Sequence, residues 1–285
     1  MKIVSTVAAL RRARPEFPRL GFVPTMGFLH EGHLTLVRAA KARVGAVACS
    51  IFVNPTQFGP SEDLSRYPRD LERDLALLEE AGCDLVFTPT PDEVYPPGFS
   101  TRIEVEGVAA PLEGAVRPGH FSGVATVVAK LFNMVQPDAA WFGQKDAQQC
   151  AVIRRMACDL DLPVEIVLAE TVREPDGLAM SSRNVYLAAD ERQAALCLIR
   201  ALRAAEAGFD AGHRAGELLR GLMRAELEAE PMAVADYVSI ADPDTLAELD
   251  TVDARGAVAS LAVRIGKTRL IDNLLLGEAR QKWLR

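Results

Sequence analysis

Residues 20–33 read Leu-Gly-Phe-Val-Pro-Thr-Met-Gly-Phe-Leu-His-Glu-Gly-His and contain the turn on which the fold prediction rests. The apolar start, residues 20–23, is typical of a buried strand, and the pattern of about residues 30–43 predicts a helix. Gly27 and Gly32 lie between them, where they allow the backbone to approach a ligand closely. Because ligands bind at the carboxyl ends of parallel strands, this turn is expected to contribute to a binding site.

Short apolar runs alternate with helical patterns over the first two thirds of the chain. The runs at 45–53, 84–88, 139–142 and 164–168 predict strands, and the patterns at 70–81, 123–135 and 146–159 predict helices. Strands that alternate with helices of about ten or more residues indicate crossover units. The sequence therefore predicts an α/β fold whose parallel sheet carries helices on both faces.

A different pattern follows after about residue 185. Residues 190–208 and 214–230 predict long helices, residues 234–240, 257–265 and 269–273 predict strands, and Gly266-Lys267 predicts a hairpin turn. Helices followed by a small antiparallel sheet are typical of an α+β domain. We therefore expect two domains, residues 1–174 and a smaller C-terminal lid domain of residues 175–285.

The composition is that of an ordinary globular protein, with 285 residues, 49% apolar, 25% charged and a net charge of -7. These fractions exclude a disordered or collagen-like chain. The acidic balance argues against general nucleic-acid binding, which normally requires a basic face. It leaves room for a local basic pocket that binds a small anion.

No stretch of the sequence predicts a membrane-spanning helix. The longest uncharged stretch, residues 44–61, includes Asn54, Pro55 and Gln57, so its apolar part is too short for a bilayer core of about 30 Å. The apolar run at residues 3–10 resembles part of a signal peptide, but arginines follow it at once. We therefore predict an amphipathic first helix instead of an export signal.

The five cysteines are odd in number and scattered, without a Cys-x-x-Cys pair. They are Cys49, Cys83, Cys150, Cys158 and Cys197. This pattern predicts buried, reduced thiols in a cytoplasmic protein, and neither zinc ligands nor a disulfide framework.

His30 and His33 are the strongest candidates for chemistry in the first turn. Three positions apart, they share a face if the helix has already begun. The helix N-terminus favours phosphate through its dipole and its N–H groups, and two imidazoles there can donate hydrogen bonds to it. A zinc site of the His-Glu-x-x-His type needs one more residue between the histidines. Capping of the helix end is the structural alternative for both residues.

Two amides follow the second predicted strand. Asn54 and Gln57 come after residues 45–53, so we expect them at the same edge of the sheet as His33. An amide offers both a donor and an acceptor, which suits a substrate with hydroxyl and carboxylate groups. Stabilisation of the turn itself is the alternative for both side chains.

Residues 143–146, Gly-Gln-Lys-Asp, again follow a predicted strand and open a predicted helix. Gly143 allows close backbone approach to a nucleotide, Lys145 supplies a positive charge for phosphate, and Asp146 can cap the helix or bind a ribose. At residues 180–183, Met-Ser-Ser-Arg, two hydroxyls and a guanidinium form a candidate anion clamp. A plain surface lysine and a plain interdomain loop are the respective alternatives.

Two further segments carry less information. Gly266-Lys-Thr268 is similar to the end of a Walker A loop, but Leu261 stands where that loop needs glycine, so a hairpin turn is predicted. Residues 62–74 mix acidic and basic side chains and predict a face that is mostly solvated. An acidic residue of that stretch is an open candidate for holding Mg²⁺.

Several segments together resemble one enzyme family. A strand followed by His-x-Gly-His is similar to the nucleotidyltransferase superfamily that includes class I aminoacyl-tRNA synthetases. The longer string at residues 24–33 resembles the pantothenate synthetase (pantoate–β-alanine ligase) family. Further segments match this family in the same order, at residues 50–59, 117–124, 142–149, 171–184 and 268–273.

The resemblance implies a Rossmann-like domain for ATP and pantoate and the ATP-dependent ligation of pantoate to β-alanine. This reaction runs through a pantoyl adenylate and gives pantothenate, AMP and pyrophosphate. A ligase or nucleotidyltransferase for another small acid remains the alternative. A tRNA-binding fragment and a silent nucleotide sensor are alternatives of another class. The acidic charge argues against RNA, and the intact His30, His33 and Lys145 argue against a silent sensor.

The same resemblance assigns residues to each substrate. His33, His30 and Lys145 are the expected catalytic residues. The expected ATP-binding residues are Met26, Gly27, Phe28, Leu29, His30, Glu31, Gly32, His33, Gly143, Gln144, Lys145, Asp146, Val172, Met180, Ser181, Ser182 and Arg183. The expected pantoate-binding residues are Gln57, Gln149 and Asn54, and Gln57 is also expected to bind β-alanine.

The remaining expectations concern cofactors and partners. Mg²⁺ is expected with ATP, but the sequence assigns no ligands for it, and no role can be derived for Arg117 or His120. No tightly bound organic cofactor, nucleic acid or membrane partner is expected. A homodimer is the family expectation and the commonest soluble oligomer.

Overall fold

The computed structural model describes residues 1–59, 64 and 67–284 of the chain. They form two compact units, Met1–Gly143 with Gln149–Ala169, and Gln144–Gln148 with Glu170–Arg285. The boundary after residue 174 stays a prediction. Among the described residues, no helix is both long and apolar enough to cross a membrane.

The first unit contains a six-stranded sheet in which all neighbouring strands run parallel. Its strands are β1 (Lys2–Val4), β2 (Gly21–Thr25), β3 (Val47–Ile51), β4 (Leu85–Phe87), β5 (Ala139–Gly143) and β6 (Glu165–Ala169). β2, β3 and β4 are almost wholly buried, as expected for parallel strands that carry helices on both faces. The predicted α/β sheet is confirmed.

Helices connect these strands. They are α1 (Val7–Ala13), α2 (Glu31–Val44), α3 (Leu71–Glu80), α4 (Pro91–Val94), α5 (Glu113–Val116), α6 (His120–Val135) and α7 (Ala147–Asp159). The predictions for α2, α3, α6 and α7 are confirmed to within a few residues. α6 begins at His120, three residues before its predicted start at residue 123, because Gly119 adopts a left-handed conformation that lets the helix start there.

The prediction of a helix from the first residues onward is only partly right. Lys2–Val4 form strand β1, which pairs in parallel with β4, and α1 begins at Val7. Thr6 caps this helix by accepting the N–H of Ala9 at 3.2 Å. Because a strand of three residues is set by its partner strand and not by its own periodicity, the local pattern could not reveal it.

The strand order places the functional segments. Across the sheet the order is β1-β4-β3-β2-β5-β6, so the chain moves in one direction from β2 to β4 and in the other from β5 to β6. The reversal lies between β2 and β5, which pair with each other. Ligands bind parallel sheets at the carboxyl ends of the strands beside such a reversal. There β2 leads into His30, β3 leads into Asn54, and β5 ends at Gly143.

The second unit contains a three-stranded antiparallel sheet with helices. Its strands are β7 (Ala233–Ala241), β8 (Ala257–Ile265) and β9 (Thr268–Leu276), and its helices are α8 (Ala189–Ala194), α9 (Cys197–Asp210), α10 (Gly216–Glu228) and α11 (Ala279–Trp283). β8 is the central strand and is buried except at Arg264. Ile265 pairs with Thr268, so Gly266-Lys267 form the two-residue hairpin turn that the sequence predicts.

One predicted helix of this unit is divided. Residues 190–208 were expected to be continuous, but α8 ends at Ala194 and α9 starts at Cys197. At the break Leu196 donates its N–H to the carbonyl of Gln193, and Leu198 donates to Ala195, so the backbone tightens to three-residue spacing. Ala194, Ala195, Cys197 and Leu198 are all buried in the core of this unit, and the tighter backbone lets these nearly consecutive side chains face it.

Candidate active site

The turn after β2 is held by a buried carboxylate on α3. Asp74, 1% exposed, accepts the backbone N–H of Phe28 at 2.7 Å and that of Leu29 at 2.7 Å. Gly27 has φ +81, and a Cβ there would lie 2.9 Å from the carboxylate of Asp74. Glycine is therefore required at this position for two reasons, the backbone conformation and the closeness of Asp74.

The neighbouring arginine supports the same turn. Arg73 donates to the carbonyl oxygen of Leu29 at 3.0 Å, and its guanidinium carbon lies 5.6 Å from the centre of the Phe28 ring. Phe28 itself has φ +51, which is uncommon for a residue with a side chain. Together Arg73 and Asp74 hold the turn in a conformation that it would not adopt by itself.

Asp74 is the exception in residues 62–74, a stretch predicted to be mostly a solvated face, and residues 69–73 are exposed as predicted. Asp74 is buried and fully engaged with the turn. Asp70 instead caps α3 by accepting the N–H of Arg73 at 3.1 Å. The other acidic candidates for Mg²⁺ in that stretch include Glu62 and Asp63, which lie outside the described residues.

His30 and His33 lie at the start of α2, with ring centres 4.1 Å apart. His30 is the residue before the helix and His33 is in its first turn, so the two rings share a face as predicted. The backbone N–H of His30 donates to Nδ1 of His33 at 3.4 Å. A neutral imidazole that accepts at Nδ1 carries its proton on Nε2, so His33 presents a donor at that atom.

The backbone groups of this segment divide into two sets. The N–H groups of Phe28 and Leu29 are engaged by Asp74, and the side chain of Leu29 is part of the core. By contrast, Glu31 and Gly32 open α2, where no preceding turn can accept their N–H groups. The donors suited to an anion are therefore those of the helix start.

Asn54 lies after β3 and is 1% exposed. Its side-chain oxygen accepts from the hydroxyl of Tyr95 at 2.8 Å and that of Thr56 at 3.0 Å. Its amide nitrogen donates to the side-chain oxygen of Gln57 at 3.1 Å and to the carbonyl of Gly123 at 3.1 Å. Because both amide hydrogens have protein acceptors, Asn54 acts on Gln57 by orienting its amide.

Gln57 is 8% exposed and keeps donor capacity. Its oxygen is occupied by Asn54, whereas its amide nitrogen donates, among the described residues, to the sulfur of Met26 at 3.2 Å, which is a weak acceptor. Met26 precedes Gly27 in the turn after β2, the histidine turn of residues 26–33. Gln57 therefore lies beside that turn, as the sequence predicts, with its N–H₂ group available to a stronger acceptor.

Helix α6 packs against Gln57 at a glycine. A Cβ at Gly123 would lie 2.5 Å from the carbonyl oxygen of Thr56 and 2.7 Å from the Cα of Gln57. Real Cβ atoms do not approach backbone so closely, so only glycine fits there. Gly123 thus explains part of the segment at residues 117–124 that the sequence could match but not interpret.

Arg117 and His120, whose roles could not be derived from the sequence, form a chain of hydrogen bonds to the backbone of Gln57. Nδ1 of His120 lies 2.9 Å from the carbonyl oxygen of Gln57, and Nε2 lies 3.0 Å from Nη1 of Arg117. A carbonyl can only accept, so Nδ1 carries the proton and Nε2 accepts from Arg117. The two residues hold the backbone of Gln57 while Asn54 holds its side chain.

Tyr95 directly follows α4 and completes the hydrogen-bonded group around Asn54 and Gln57, the amide site. Burial raises the pKa of Tyr95, so its hydroxyl stays protonated and donates to Asn54. Nζ of Lys130 lies 5.8 Å from the ring centre of Tyr95 and 4.4 Å from that of Phe99. Partial burial lowers the pKa of Lys130.

In the second unit, residues 144–146 form a short 3-10 turn. Gln144 is 5% exposed, whereas Asp146 is exposed and Nζ of Lys145 lies 3.7 Å from its carboxylate. Asn273 of β9 hydrogen-bonds the carbonyls of both Gln144 and Lys145. The predicted phosphate lysine therefore stands on a backbone that β9 supports. Gln149, the second predicted pantoate glutamine, is half-buried in α7.

The predicted anion clamp lies beyond a small hairpin. Met180 donates its N–H to the carbonyl of Val172 at 3.0 Å, and Arg173 pairs with Ala179. Ser181 caps the following 3-10 turn by accepting the N–H of Arg183 at 3.2 Å. Ser181 and Ser182 are half-buried and Arg183 is exposed, so their polar groups can reach a ligand.

Clusters of metal-ligating side chains are absent from the described part of the chain. No group of three or more His, Cys, Asp or Glu residues there could hold a metal ion. The five cysteines are all free, as predicted, but Cys158 is exposed and not buried. It lies on α7 one residue before the helix ends.

Several supporting residues were missed by sequence reasoning, namely Arg73, Asp74, Tyr95 and Lys130. Only Asp74 left a signal, because it occupies the same helical stripe as the buried Leu78, four positions later. A charged residue on a buried stripe needs a partner, and that need could have identified it. The other contacts depend on residues far away in the sequence.

Comparisons with known proteins agree with this geometry. A family model described as Pantoate-beta-alanine ligase matches residues 2–275. A pantothenate synthetase from Herpetosiphon aurantiacus is 62% identical over 276 residues, which cover 97% of this chain and 100% of that protein. One from Roseiflexus is 65% identical over 277 residues, covering 97% and 99%.

Solved structures match over a similar length. The crystal structure of pantothenate synthetase from Thermus thermophilus has a TM-score of 0.91 at 53% identity, over 96% of this chain and 99% of that one. The pantoate-beta-alanine ligase from Francisella tularensis, complexed with beta-gamma ATP and beta-alanine, has a TM-score of 0.79 at 35% identity, over 96% and 97%. The similarity in fold, the sequence identity and the family match all extend over nearly the whole chain. The chain therefore belongs to the pantoate–β-alanine ligase family.

Proposed function

We propose that the chain ligates pantoate to β-alanine with ATP, through an enclosed pantoyl adenylate. One observation carries the proposal: the amide of Gln57 lies beside the histidine turn, 3.2 Å from Met26, with donor capacity left for an acid substrate. A group that binds a carboxylic acid thus lies next to groups suited to phosphate. This is the arrangement that an acid-activating enzyme needs.

In the first step an oxygen of the pantoate carboxylate attacks the α-phosphorus of ATP. A new C–O–P linkage forms, the bond from the α-phosphorus to the bridging oxygen breaks, and pyrophosphate leaves with the electron pair. His33 donates a hydrogen bond from Nε2 as negative charge builds on the phosphate oxygens, because its Nδ1 accepts the N–H of His30. The N–H groups at the start of α2 act in the same way.

Pantoate is bound through Gln57. Its amide nitrogen donates to the hydroxyl or carboxylate oxygen, while Asn54 and His120 fix the side chain and the backbone. Asn54 is thus assigned to orientation of Gln57, which narrows the earlier expectation of direct contact. Gln149 stays a prediction as the second pantoate glutamine.

The second unit supplies further groups for phosphate. Lys145 provides a positive charge, and Ser181, Ser182 and Arg183 provide hydroxyl and guanidinium donors on a short turn. Arginine suits this role because its donors match phosphate oxygens in pairs. ATP enters as its magnesium complex, so Mg²⁺ belongs to the substrate and is held chiefly by phosphate oxygens.

In the second step the uncharged amine of β-alanine attacks the acyl carbon of the adenylate. The C–N bond forms, the bond from that carbon to the phosphate oxygen breaks, and AMP leaves with the electron pair of that bond. The proton that the nitrogen loses passes to the solvent. The adenylate must be kept from water during this step. The chain needs no protein nucleophile for either step.

We also propose a cytoplasmic homodimer. The cysteines are free, and a reduced compartment suits unpaired thiols. Two-fold dimers are the commonest soluble oligomers. Sedimentation of the purified chain measures its oligomeric state, and a monomer at all concentrations would contradict this part of the proposal.

The exchange of labelled pyrophosphate into ATP tests the function. Pantoate and a panel of other hydroxy acids of similar size are compared without β-alanine. Among the acids compared, we expect only pantoate to support exchange. Once β-alanine is added, we expect release of AMP and a burst of amide product. Exchange that ignores pantoate but responds to another acid would favour the alternative adenylating ligase.

A further inference from the structure

Two adjacent polar residues, Asp272 and Asn273, are buried in the apolar part of β9, residues 270–276. Asp272 and Asn273 are each 2% exposed, between the apolar Leu270 and Leu275. Burial of a carboxylate or an amide costs free energy unless its hydrogen-bonding groups are satisfied. The partners of these two side chains therefore show what the pair is for.

Asn273 holds residues 144 and 145. Its side-chain nitrogen donates to the carbonyl of Gln144 at 3.0 Å and to that of Lys145 at 2.9 Å. Its side-chain oxygen accepts from the amide of Gln144 at 3.0 Å. One buried amide thus fixes both the backbone of the 3-10 turn and its buried side chain, leaving Lys145 to project from a rigid base.

Asp272 holds the hairpin of residues 172–180, which leads to the turn at residues 181–183, the serine turn. Its two oxygens accept from Arg173, at 2.7 Å from Nη1 and 3.0 Å from Nη2. Arg173 in turn donates to the carbonyl of Gly177 at 3.1 Å. Such a bidentate ion pair fixes the orientation of the guanidinium as well as its distance from the carboxylate, so the hairpin is held in a defined orientation relative to β9.

The two networks are joined. The backbone N–H of Asn273 donates to Asp272 at 2.8 Å, and its carbonyl accepts from Arg173 at 3.3 Å. Asp272 and Asn273 therefore anchor two separate segments, residues 144–146 and 172–183, to one point on β9. Both segments carry the groups assigned to the phosphates of ATP under the proposed function.

Stability alone does not explain the pair. Replacement of a buried ion pair by well-packed apolar residues is often neutral or stabilising. β9 already contributes Leu270 and Leu276 to the core of this unit. We propose that Asp272 and Asn273 are positioning residues for nucleotide, which set Lys145 and the serine turn at the correct separation.

Two isosteric variants and a matched control test this inference, which rests on the proposed function. Asn273→Asp removes both side-chain donors and places a carboxylate against two carbonyls, and Asp272→Asn removes the charge that Arg173 requires. Asp236→Asn is the control, because Asp236 pairs with Arg264 at 3.1 Å and with Arg269 at 2.7 Å in the same sheet, and neither arginine belongs to segment 144–146 or 172–183. Each protein is assayed well below its own melting temperature.

We expect the KM for ATP to rise about tenfold or more in both variants, as for loss of a hydrogen bond to a charged group. The KM values for pantoate and β-alanine should stay within about twofold, and the control should match the wild type. A purely structural role would lower the active fraction and leave every KM unchanged. That result, or an equal rise in all three KM values, would overturn the inference.

A milder variant covers the case in which the others fail to fold. Arg173→Lys keeps the charge beside Asp272 but loses the paired geometry. We expect a smaller rise in the KM for ATP, again without a change for pantoate, and an unchanged KM for ATP would contradict the inference. The wild type separates the two hypotheses: if it lacks pyrophosphate exchange with pantoate, the proposed function itself fails.

Discussion

The histidine turn of the first unit and the serine turn of the second are built in different ways. The first is buried at Gly27 and Leu29, and Asp74 and Arg73 hold its backbone before any ligand arrives. The second, at residues 181–183, is half-buried to exposed; Ser181 caps it, and the next residue, Asn184, donates to Glu174 and to the carbonyl of Ala179. The apolar Val185 beside it is 64% exposed.

The difference indicates two ways of using phosphate donors. Donors held in place before the reaction need no reorganisation as charge develops, so they contribute mainly to the rate. Donors on half-buried or exposed side chains, such as that of Arg183, must be ordered by the ligand, at up to about 2 kcal/mol per side chain, so they contribute mainly to binding and enclosure. Changes in the first turn should therefore act on kcat, and changes in the second on nucleotide affinity.

The largest effect is expected from His33→Ala. Loss of one preorganised donor typically lowers the rate about 10²–10³-fold. We expect at least that loss in single-turnover adenylate formation, with little change in melting temperature, because His33 is not part of the core. His213→Ala, at an exposed histidine, is the control. A rate near that of the wild type would show that His33 is not a catalytic donor.

Gln57→Ala should weaken pantoate binding by about ten- to hundredfold, because a hydrogen bond to a charged group contributes about 1.5–3 kcal/mol. Affinity for ATP should change little, since Gln57 belongs to the amide site beside the turn. Equilibrium binding of each substrate alone measures both values. If ATP and pantoate weaken equally, the assignment of Gln57 to the acid is wrong.

Asp74→Asn tests whether the histidine turn depends on its support. The amide keeps one acceptor but turns a donor toward a backbone N–H, so we expect about a tenfold lower kcat and a melting temperature roughly 3–10 °C lower. Glu80→Gln, on the exposed side of α3, should change neither. Unchanged kcat in a destabilised Asp74→Asn protein would mean that the turn keeps its shape without this carboxylate.

The smallest effect concerns the serine turn itself. Trypsin should cut after Arg183 in the free protein, and ATP with Mg²⁺ should slow this cleavage several-fold by ordering the turn. Cleavage after Arg173 should be slow, because Asp272 and the carbonyl of Gly177 hold its side chain. Cleavage after the exposed Arg255 serves as the control and should not respond to nucleotide. Equal cleavage after Arg183 with and without nucleotide would mean that the turn is already ordered.

The sequence by itself determined the elements and their chemistry. Short apolar runs and helical patterns predict most strands and helices, and glycine-containing turns after strands predict where ligand groups stand, because these signals depend on neighbouring residues. The hairpin at Gly266-Lys267 was found in this way. His30, His33, Gln57 and Lys145 were recognised as candidates because their residue types follow strand ends.

Only the tertiary structure decided how these groups are held. Asp74 reaches Phe28 across 46 residues, His120 reaches Gln57 across 63, and Asn273 reaches Lys145 across 128. No local pattern encodes such partners, since each bond depends on which elements the folded chain brings together. The same cause left the short strand β1 undetected, because three residues become a strand only when β4 lies beside them.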